Sequence, residues 1–281
     1  MLKQRLSTVI VGLLLLSACS SAPKTPPQSL TVRKEADGFI LLGTKMLREG
    51  QSDAAREYYT EAYRMYTLVD EPEGRIRALE GLGRVQFTDF DAWEKATQIA
   101  EDSGDETLIA LTSLLEAEEL LIYGDTDSRE QALAILDRAI ANLENRPFDK
   151  ARALRLFGSL LKQGQRYDEA VSNLQKAIDM DTKNRSYIDL ASDYYLLASV
   201  YSKKGEYTEA LTYLANAVEY DRRAENGSGL GSDYMALGIV YEKSGNKNKA
   251  RISYQKALDI FTAGRLPEKM DEVSKRITAL E

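Results

Sequence analysis

Residues 194–217 read YYLLASVYSKKGEYTEALTYLANA, and residues 234–257 read YMALGIVYEKSGNKNKARISYQKA. In both segments a small residue, Ala198 or Gly238, follows a leucine and comes three positions before a tyrosine. The alanines in the second half of each segment also correspond, again 40 positions apart. Two copies in one register predict a protein built from repeated units.

The order of residues within each copy resembles the tetratricopeptide repeat, a helix-turn-helix unit that is usually 34 residues long. The copies here are longer, as in the extended-helix branch of that family. The resemblance covers residues 36–280 and implies an all-α protein, a right-handed α-solenoid. In such a fold each repeat buries its apolar face against its neighbours.

The same pattern recurs upstream, with the small residue of the first helix at Gly43, Gly83, Ala117 and Gly158. The copy around Gly83 is degenerate, and the register of the copy around Ala117 stays open. Small residues are expected where packed helices cross at the close end of the usual 8–10 Å separation. We predict about six repeats over residues 34–265 and an amphipathic capping helix over residues 266–281.

The composition excludes several kinds of chemistry, because the 281 residues include no histidine. Histidine is the usual general base, a member of the common nucleophilic triads and the commonest metal ligand. We therefore expect no catalytic residues, no metal site, no cofactor and no enzymatic activity.

The N-terminus has the features of a secretory signal: basic residues before an apolar run over residues 6–16. The run is too short for a typical membrane-spanning helix. It is followed by Leu16-Ser17-Ala18-Cys19, which resembles the bacterial lipobox and implies cleavage of residues 1–18 and acylation of Cys19. The alternative is an ordinary cleaved signal in which this cysteine, the only one in the chain, is incidental.

The residues after the cysteine predict where the protein is held. The residue after the cysteine is Ser20. An Asp at this position would resemble an inner-membrane retention signal, so Ser20 favours the inner, periplasmic leaflet of the outer membrane. Residues 19–33 are predicted to be a flexible tether of roughly 20 Å. Removing Lys3 and Arg5 with the signal changes the net charge from −7 to −9, which argues against nucleic acid as a partner.

The resemblance also implies a binding surface, because first-helix residues line the concave face of this family. Carried onto this sequence, the candidate partner-binding residues are Arg77, Arg84, Arg152, Arg155, Lys162, Tyr195 and Lys203. Arginines in such a groove are expected to hold the carboxylates of a peptide. The alternative is that they are ordinary solvated helix residues. The Lys and Asn clamp of chaperone-binding members is absent, since its Asn positions hold Leu156, Ser159, Leu196 and Ser199.

Two short segments invite a ligand-binding interpretation. Gly227-Ser-Gly-Leu-Gly231 has the composition of a phosphate-binding loop, but no strand precedes it, so an inter-repeat turn is the favoured interpretation. The segment from Asp125 resembles a calcium loop, but Glu130 occupies the position that requires glycine.

The sequence therefore predicts a lipid-anchored, non-catalytic scaffold or adaptor that binds another envelope protein or peptide in its groove. Envelope lipoproteins with this architecture include assembly factors for type IV pilus secretins and adaptors of cell-wall hydrolases. The alternative from another class is an accessory module that binds a small solute in a pocket among the repeats.

Overall fold

The computed structural model describes residues 28–85, 90–123 and 125–280, and every regular element within these ranges is an α-helix. The helices are α1 (Gln28–Arg48), α2 (Ser52–Leu68), α3 (Pro72–Val85), α4 (Phe90–Ser103), α5 (Glu106–Tyr123), α6 (Thr126–Asn142), α7 (Pro147–Gln163), α8 (Tyr167–Asn184), α9 (Tyr187–Lys204), α10 (Tyr207–Arg223), α11 (Gly227–Lys243), α12 (Lys247–Ala263) and α13 (Pro267–Thr278). The predicted all-α solenoid is confirmed.

The helices form six consecutive pairs, and α13 packs against α12 at the C-terminal end. The first helices of successive pairs also contact one another, as α7 does with α9 and α9 with α11. The second helices pack mainly on the first helices beside them. The odd-numbered helices therefore form the inner, concave layer of the solenoid.

The N-terminal helix begins earlier than the sequence predicted. Residues 28–33 were expected to belong to the tether, but α1 starts at Gln28, directly after Pro26 and Pro27. Proline is tolerated before or within the first turn of a helix, and Val32 packs against the buried cluster around Ala36. The predicted signal, Cys19 and the rest of the tether lie outside the described residues.

The small residues of the first helices lie where the sequence placed them, at close crossings with the second helices. A Cβ atom added at Gly238 would lie 2.3 Å from the ring of Tyr254. At Gly158 the nearest atom would be Cγ of Leu174, at 2.7 Å. Each glycine thus accommodates one large side chain of the second helix, and a Cβ at Gly158 would also lie 3.4 Å from the backbone oxygen of Ala170.

The tyrosines of the repeats divide into two groups by their burial. Tyr59 and Tyr254 are almost completely buried. Tyr194 and Tyr201 on α9 are only half-buried, and they stack on tyrosines of α10. The ring centroids of Tyr194 and Tyr220 are 5.5 Å apart, which is within the usual range for aromatic pairs.

The solenoid curves enough for its two ends to approach each other. A Cβ atom added at Gly50, in the turn after α1, would lie 3.3 Å from Cδ2 of Leu266, in the turn before α13. A cavity of about 530 Å³ lies beside this contact. Within the described ranges no helix is both long and apolar enough to cross a membrane.

Candidate partner-binding groove

The inner face of the N-terminal half is closed by ion pairs that connect repeat two with repeat four. Arg77 on α3 contacts Asp149 on α7 at 3.2 Å, and Arg146 contacts Glu73 on α3 at 2.5 Å. Hydrogen bonds from Arg146 lower the pKa of Glu73 to about 2. These ion pairs connect α3 directly with the start of α7, so the charges at this level are neutralised within the chain.

A second group of charges lies one helical turn further along the same face. Nη1 of Arg152 is 2.7 Å from Glu80, and Nη2 of the same side chain is 2.8 Å from Glu118 on α5. Arg84 contacts Glu118 at 2.9 Å. Burial opposes ionisation of Glu80, but the nearby Arg152 and Arg84 outweigh it and lower its pKa. The group is a largely buried network of two cations and two anions.

Arg155 is enclosed by three carboxylates. Its guanidinium nitrogens lie 2.6 Å from Asp181, 2.9 Å from Asp189 and 2.5 Å from Asp193. Asp181 and Asp193 are 1% and 0% exposed. The side chain therefore ties α7 to the end of α8 and to α9.

In the structure the predicted arginines are paired within the chain, which the sequence did not show. The guanidinium groups of the four predicted arginines, Arg77, Arg84, Arg152 and Arg155, are all engaged by carboxylates of this chain. Most of these carboxylates belong to other helices, 26 to 72 positions away in sequence. Local sequence patterns do not show pairings between distant helices. For this reason the sequence did not show that the arginines are paired within the chain.

In the described part of the chain, lysines on the inner face of the C-terminal half contact serine hydroxyl groups and not carboxylates. Lys162 donates to Oγ of Ser199 at 3.3 Å, and Lys243 donates to Oγ of Ser202 at 3.4 Å. Lys203 is exposed. Within residues 125–280 none of these three lysines has a carboxylate at ion-pair distance. Burial and the charge of Lys203 lower the pKa of Lys162.

A shallow depression lies between α9 and α11 on this face. It has a volume of about 110 Å³ and is lined by Tyr195, Ser199, Lys203, Ile239 and Lys243, among others. Tyr195 is 37% exposed. The structure thus brings the predicted Tyr195 and Lys203 together, with Lys243 beside them from the next repeat.

The carboxylate site around Arg155 has a counterpart one repeat later. Asp221 and Asp233 lie 40 positions after Asp181 and Asp193, and they are 4% and 2% exposed. The position 40 after Arg155 is Tyr195, so the second pair receives no guanidinium. Burial and the neighbouring Asp221 raise the pKa of Asp233 to about 9. Burial beside Asp221 therefore favours the neutral form of the Asp233 carboxyl group.

The two segments that resembled ligand loops are both helix starts. Gly227 begins α11, and the side chain of Asn226 accepts a hydrogen bond from the backbone N–H of Gly229. The expected inter-repeat turn is thus the first turn of a helix. Asp125 caps α6 by accepting from the backbone N–H of Ser128 at 2.8 Å. No group of three or more potential metal ligands is found in the described residues.

Comparison with known proteins agrees with the repeat assignment. Residues 151–184 and 189–263 match models of the tetratricopeptide repeat. These matches cover the three most regular repeats and confirm the resemblance there. No curated protein sequence matches the chain.

Several solved structures are similar to the whole solenoid. A Rap protein, solved in complex with Competence and Sporulation Factor, has 16% identity and a TM-score of 0.61, with 88% of this chain and 71% of that chain covered. PilW, a type IV pilus biogenesis factor, has 14% identity and a TM-score of 0.56, with coverages of 89% and 99%. Aspartyl phosphate phosphatase F from Bacillus subtilis has 14% identity and a TM-score of 0.55, with coverages of 90% and 72%.

At these identities the likeness establishes the fold alone. Residues 151–184 and 189–263 carry tetratricopeptide repeats, and the chain as a whole has a helical-repeat fold of this type, an architecture suited to protein–protein interaction.

Proposed function

We propose that this chain is a non-catalytic scaffold of a bacterial cell envelope that binds a protein or peptide partner in its concave groove. The observation that carries the proposal is the inner face of repeats four to six. There Tyr195, Lys203 and Lys243 border an open depression, whereas the arginine half of the same face is filled by internal ion pairs. The free part of the groove is where a partner has room to bind.

The size of the depression favours a polypeptide over a small solute. Sites for drug-sized molecules are typically about 300–1,000 Å³. The depression between α9 and α11 is about 110 Å³. On this inner face an extended segment that runs across the shallow depression fits better than an enclosed small molecule does.

The anchor is the second part of the proposal. Acyl chains on Cys19 would hold the solenoid at the inner leaflet of the outer membrane, because several chains anchor stably where one does not. The likeness of the fold to a type IV pilus biogenesis factor supports a role in assembling an envelope machine such as a pilus secretin. An adaptor of cell-wall hydrolases is the other envelope role with this architecture.

Metabolic labelling with an alkyne fatty acid tests the anchor. The parent chain is expected to take up label and to fractionate with the outer membrane. Cys19→Ser is expected to lose the label. Equal labelling of both chains, or labelling of neither, would contradict the anchor without affecting the scaffold.

Crosslinking in living cells tests the scaffold. A photoreactive residue at Ser199 in the groove is expected to capture a discrete partner. The same residue at the exposed Lys176 on α8 is the matched control and is expected to capture far less. Capture that is equal at both positions, or absent in the groove, would contradict a groove-binding scaffold.

A further inference from the structure

We infer that the inner face of repeats four to six binds an extended acidic segment through its side-chain carboxylates. The residues that would contact it are Lys162, Lys203 and Lys243, with Tyr195 and Ile239 between them. This inference rests on the proposed function, since it names the chemical class of partner for the same groove.

Charge is distributed unevenly along the groove, because among the described residues its arginines are neutralised and its lysines are not. Every arginine of α3 and α7 meets at least one carboxylate. In the C-terminal half Lys162 and Lys243 reach only serine hydroxyls. A hydroxyl satisfies the geometry of an ammonium donor but does not neutralise its charge. A chain with a net charge of −7 therefore presents a positive strip here.

The environment of Lys162 disfavours its charged form. Burial lowers its pKa, and the charge of Lys203 lowers it further. Both effects mean that the ammonium form is destabilised in the unliganded groove. A carboxylate at this point would remove the repulsion and form charge-assisted hydrogen bonds, which are about twice as strong as neutral ones.

The spacing of the three lysines matches that of side chains along an extended segment. The three lysines occur once per repeat, at intervals of 41 (203 − 162) and 40 (243 − 203) positions, on successive inner helices. Packed helices lie roughly 8–10 Å apart. An extended chain in the polyproline II conformation has three residues per turn and advances about 3.1 Å per residue, so every third side chain lies on the same face, about 9 Å apart. An acidic residue at every third position would place one carboxylate at each lysine.

The depression between α9 and α11 completes the surface. Tyr195 and Ile239 contribute apolar area between the lysines, while Ser199 and Ser202 contribute hydroxyls. Short side chains between the acidic residues would fit a depression of this size. Such a segment binds through its side chains, without requiring a free C-terminal carboxylate.

Fluorescence anisotropy with a synthetic peptide tests the inference directly. The probe is a fluorescein-labelled, C-terminally amidated peptide of four Glu-Ser-Thr units, added to the purified full chain at low salt. One comparison peptide consists of four Lys-Ser-Thr units. The other has the composition of the Glu-Ser-Thr probe, but its four glutamates are adjacent to one another. The Glu-Ser-Thr peptide is expected to bind most tightly and to weaken as salt screens the charges.

Lys203→Glu is the decisive variant, because this exposed side chain has no structural partner among the described residues. It is expected to weaken binding of the probe about tenfold or more, as loss of a charged contact does. Lys176→Glu makes the same charge change on α8 and is expected to leave binding unchanged. Equal weakening by both variants, or by neither, would overturn the inference.

The crosslinking assay at Ser199 separates this inference from the proposed function. Capture that is lost in Lys203→Glu but kept in Lys176→Glu supports both. Capture that persists in Lys203→Glu overturns the acidic segment and leaves the scaffold intact. Absence of capture in the parent chain contradicts the scaffold, whatever the peptide does.

Discussion

Asp233 on α11 lies against Asp221 on α10, and both carboxyl groups are almost completely buried. Within residues 125–280 neither makes an ion pair. One repeat earlier the corresponding Asp181 and Asp193 enclose the guanidinium of Arg155. The carboxylates at this inter-repeat contact thus surround a cation in one place, and we expect them to share a proton in the next.

The shared proton predicts a stability that declines with pH. The pKa of Asp233 is about 9 in the folded chain and about 3.9 in an unfolded one. Between these values the folded state binds more protons, so the free energy of unfolding falls as pH rises, by up to about 1.4 kcal/mol per pH unit. Asp193, with a pKa raised to about 7, adds to the decline only at lower pH. The diagnostic window is therefore pH 7–9.

Asp233→Asn removes the titrating group and keeps a donor towards Asp221. Urea unfolding at pH 7 and pH 9 is expected to show a smaller loss of stability in this variant than in the parent. Asp137→Asn, at an exposed position on α6, is the control and is expected to keep the parent's slope. Identical slopes for the parent and Asp233→Asn would show that the pair does not share a proton.

Tyr195→Arg is expected to rebuild the arrangement found around Arg155. The new guanidinium would lie at the repeat-equivalent position, lower the pKa of Asp233 and gain charged hydrogen bonds worth about 1.5–3 kcal/mol. The gain is expected to be larger at pH 9 than at pH 6. Thermal unfolding of Tyr195→Gln gives the uncharged control, and a gain shared by both variants would contradict the explanation.

The close contact at Gly238 predicts a cost for the smallest possible side chain. Gly238→Ala forces the ring of Tyr254 to move and disturbs its hydrogen bond to Glu242, so we expect a loss of about 1–3 kcal/mol. Gly38→Ala is the matched control, because it is helical and a Cβ there meets nothing within 4 Å. That change is expected to stabilise α1 by about 0.5–1 kcal/mol in chemical unfolding. If the two variants changed stability alike, the close contact would not explain the glycine.

The buried network around Arg152 predicts strong coupling between its members. Arg152→Met leaves Glu80 without its closest cation in a buried site, which typically costs about 3–5 kcal/mol. Adding Glu80→Met is expected to recover much of that loss, because replacing a whole buried pair by apolar residues is often close to neutral. Urea unfolding of both single variants and the double variant gives the coupling energy. Additive losses would show that the pair is not coupled.

The repeat pattern was readable in the sequence because its causes are local or periodic. Gly158 and Gly238 recur in one register, and each has a large residue at a fixed distance along the chain. Two residue types at constant spacing suffice to predict paired helices and their crossing points. The helix start at Gln28 was missed because Val32 gains its packing partners only in the folded repeat.

The inner face of the solenoid could be described only in part from the sequence. First-helix positions were correctly assigned to the inner layer, so Tyr195 and Lys203 were found together with the arginines. Whether a cation on that layer is free depends on carboxylates from helices far away in sequence. In the sequence Arg152 and Lys203 are both cations on a first helix. In the structure Glu80 and Glu118 enclose Arg152, whereas Lys203 is exposed.

The sequence by itself thus determined the class of fold, the number of repeats and the lack of histidine chemistry, because these depend on composition and on spacing along the chain. The tertiary structure alone decided which charges are neutralised, because charged side chains of α3 and α7 meet in space while the depression between α9 and α11 stays open. Charge pairing across a curved surface depends on distances in space, which the order of residues does not specify.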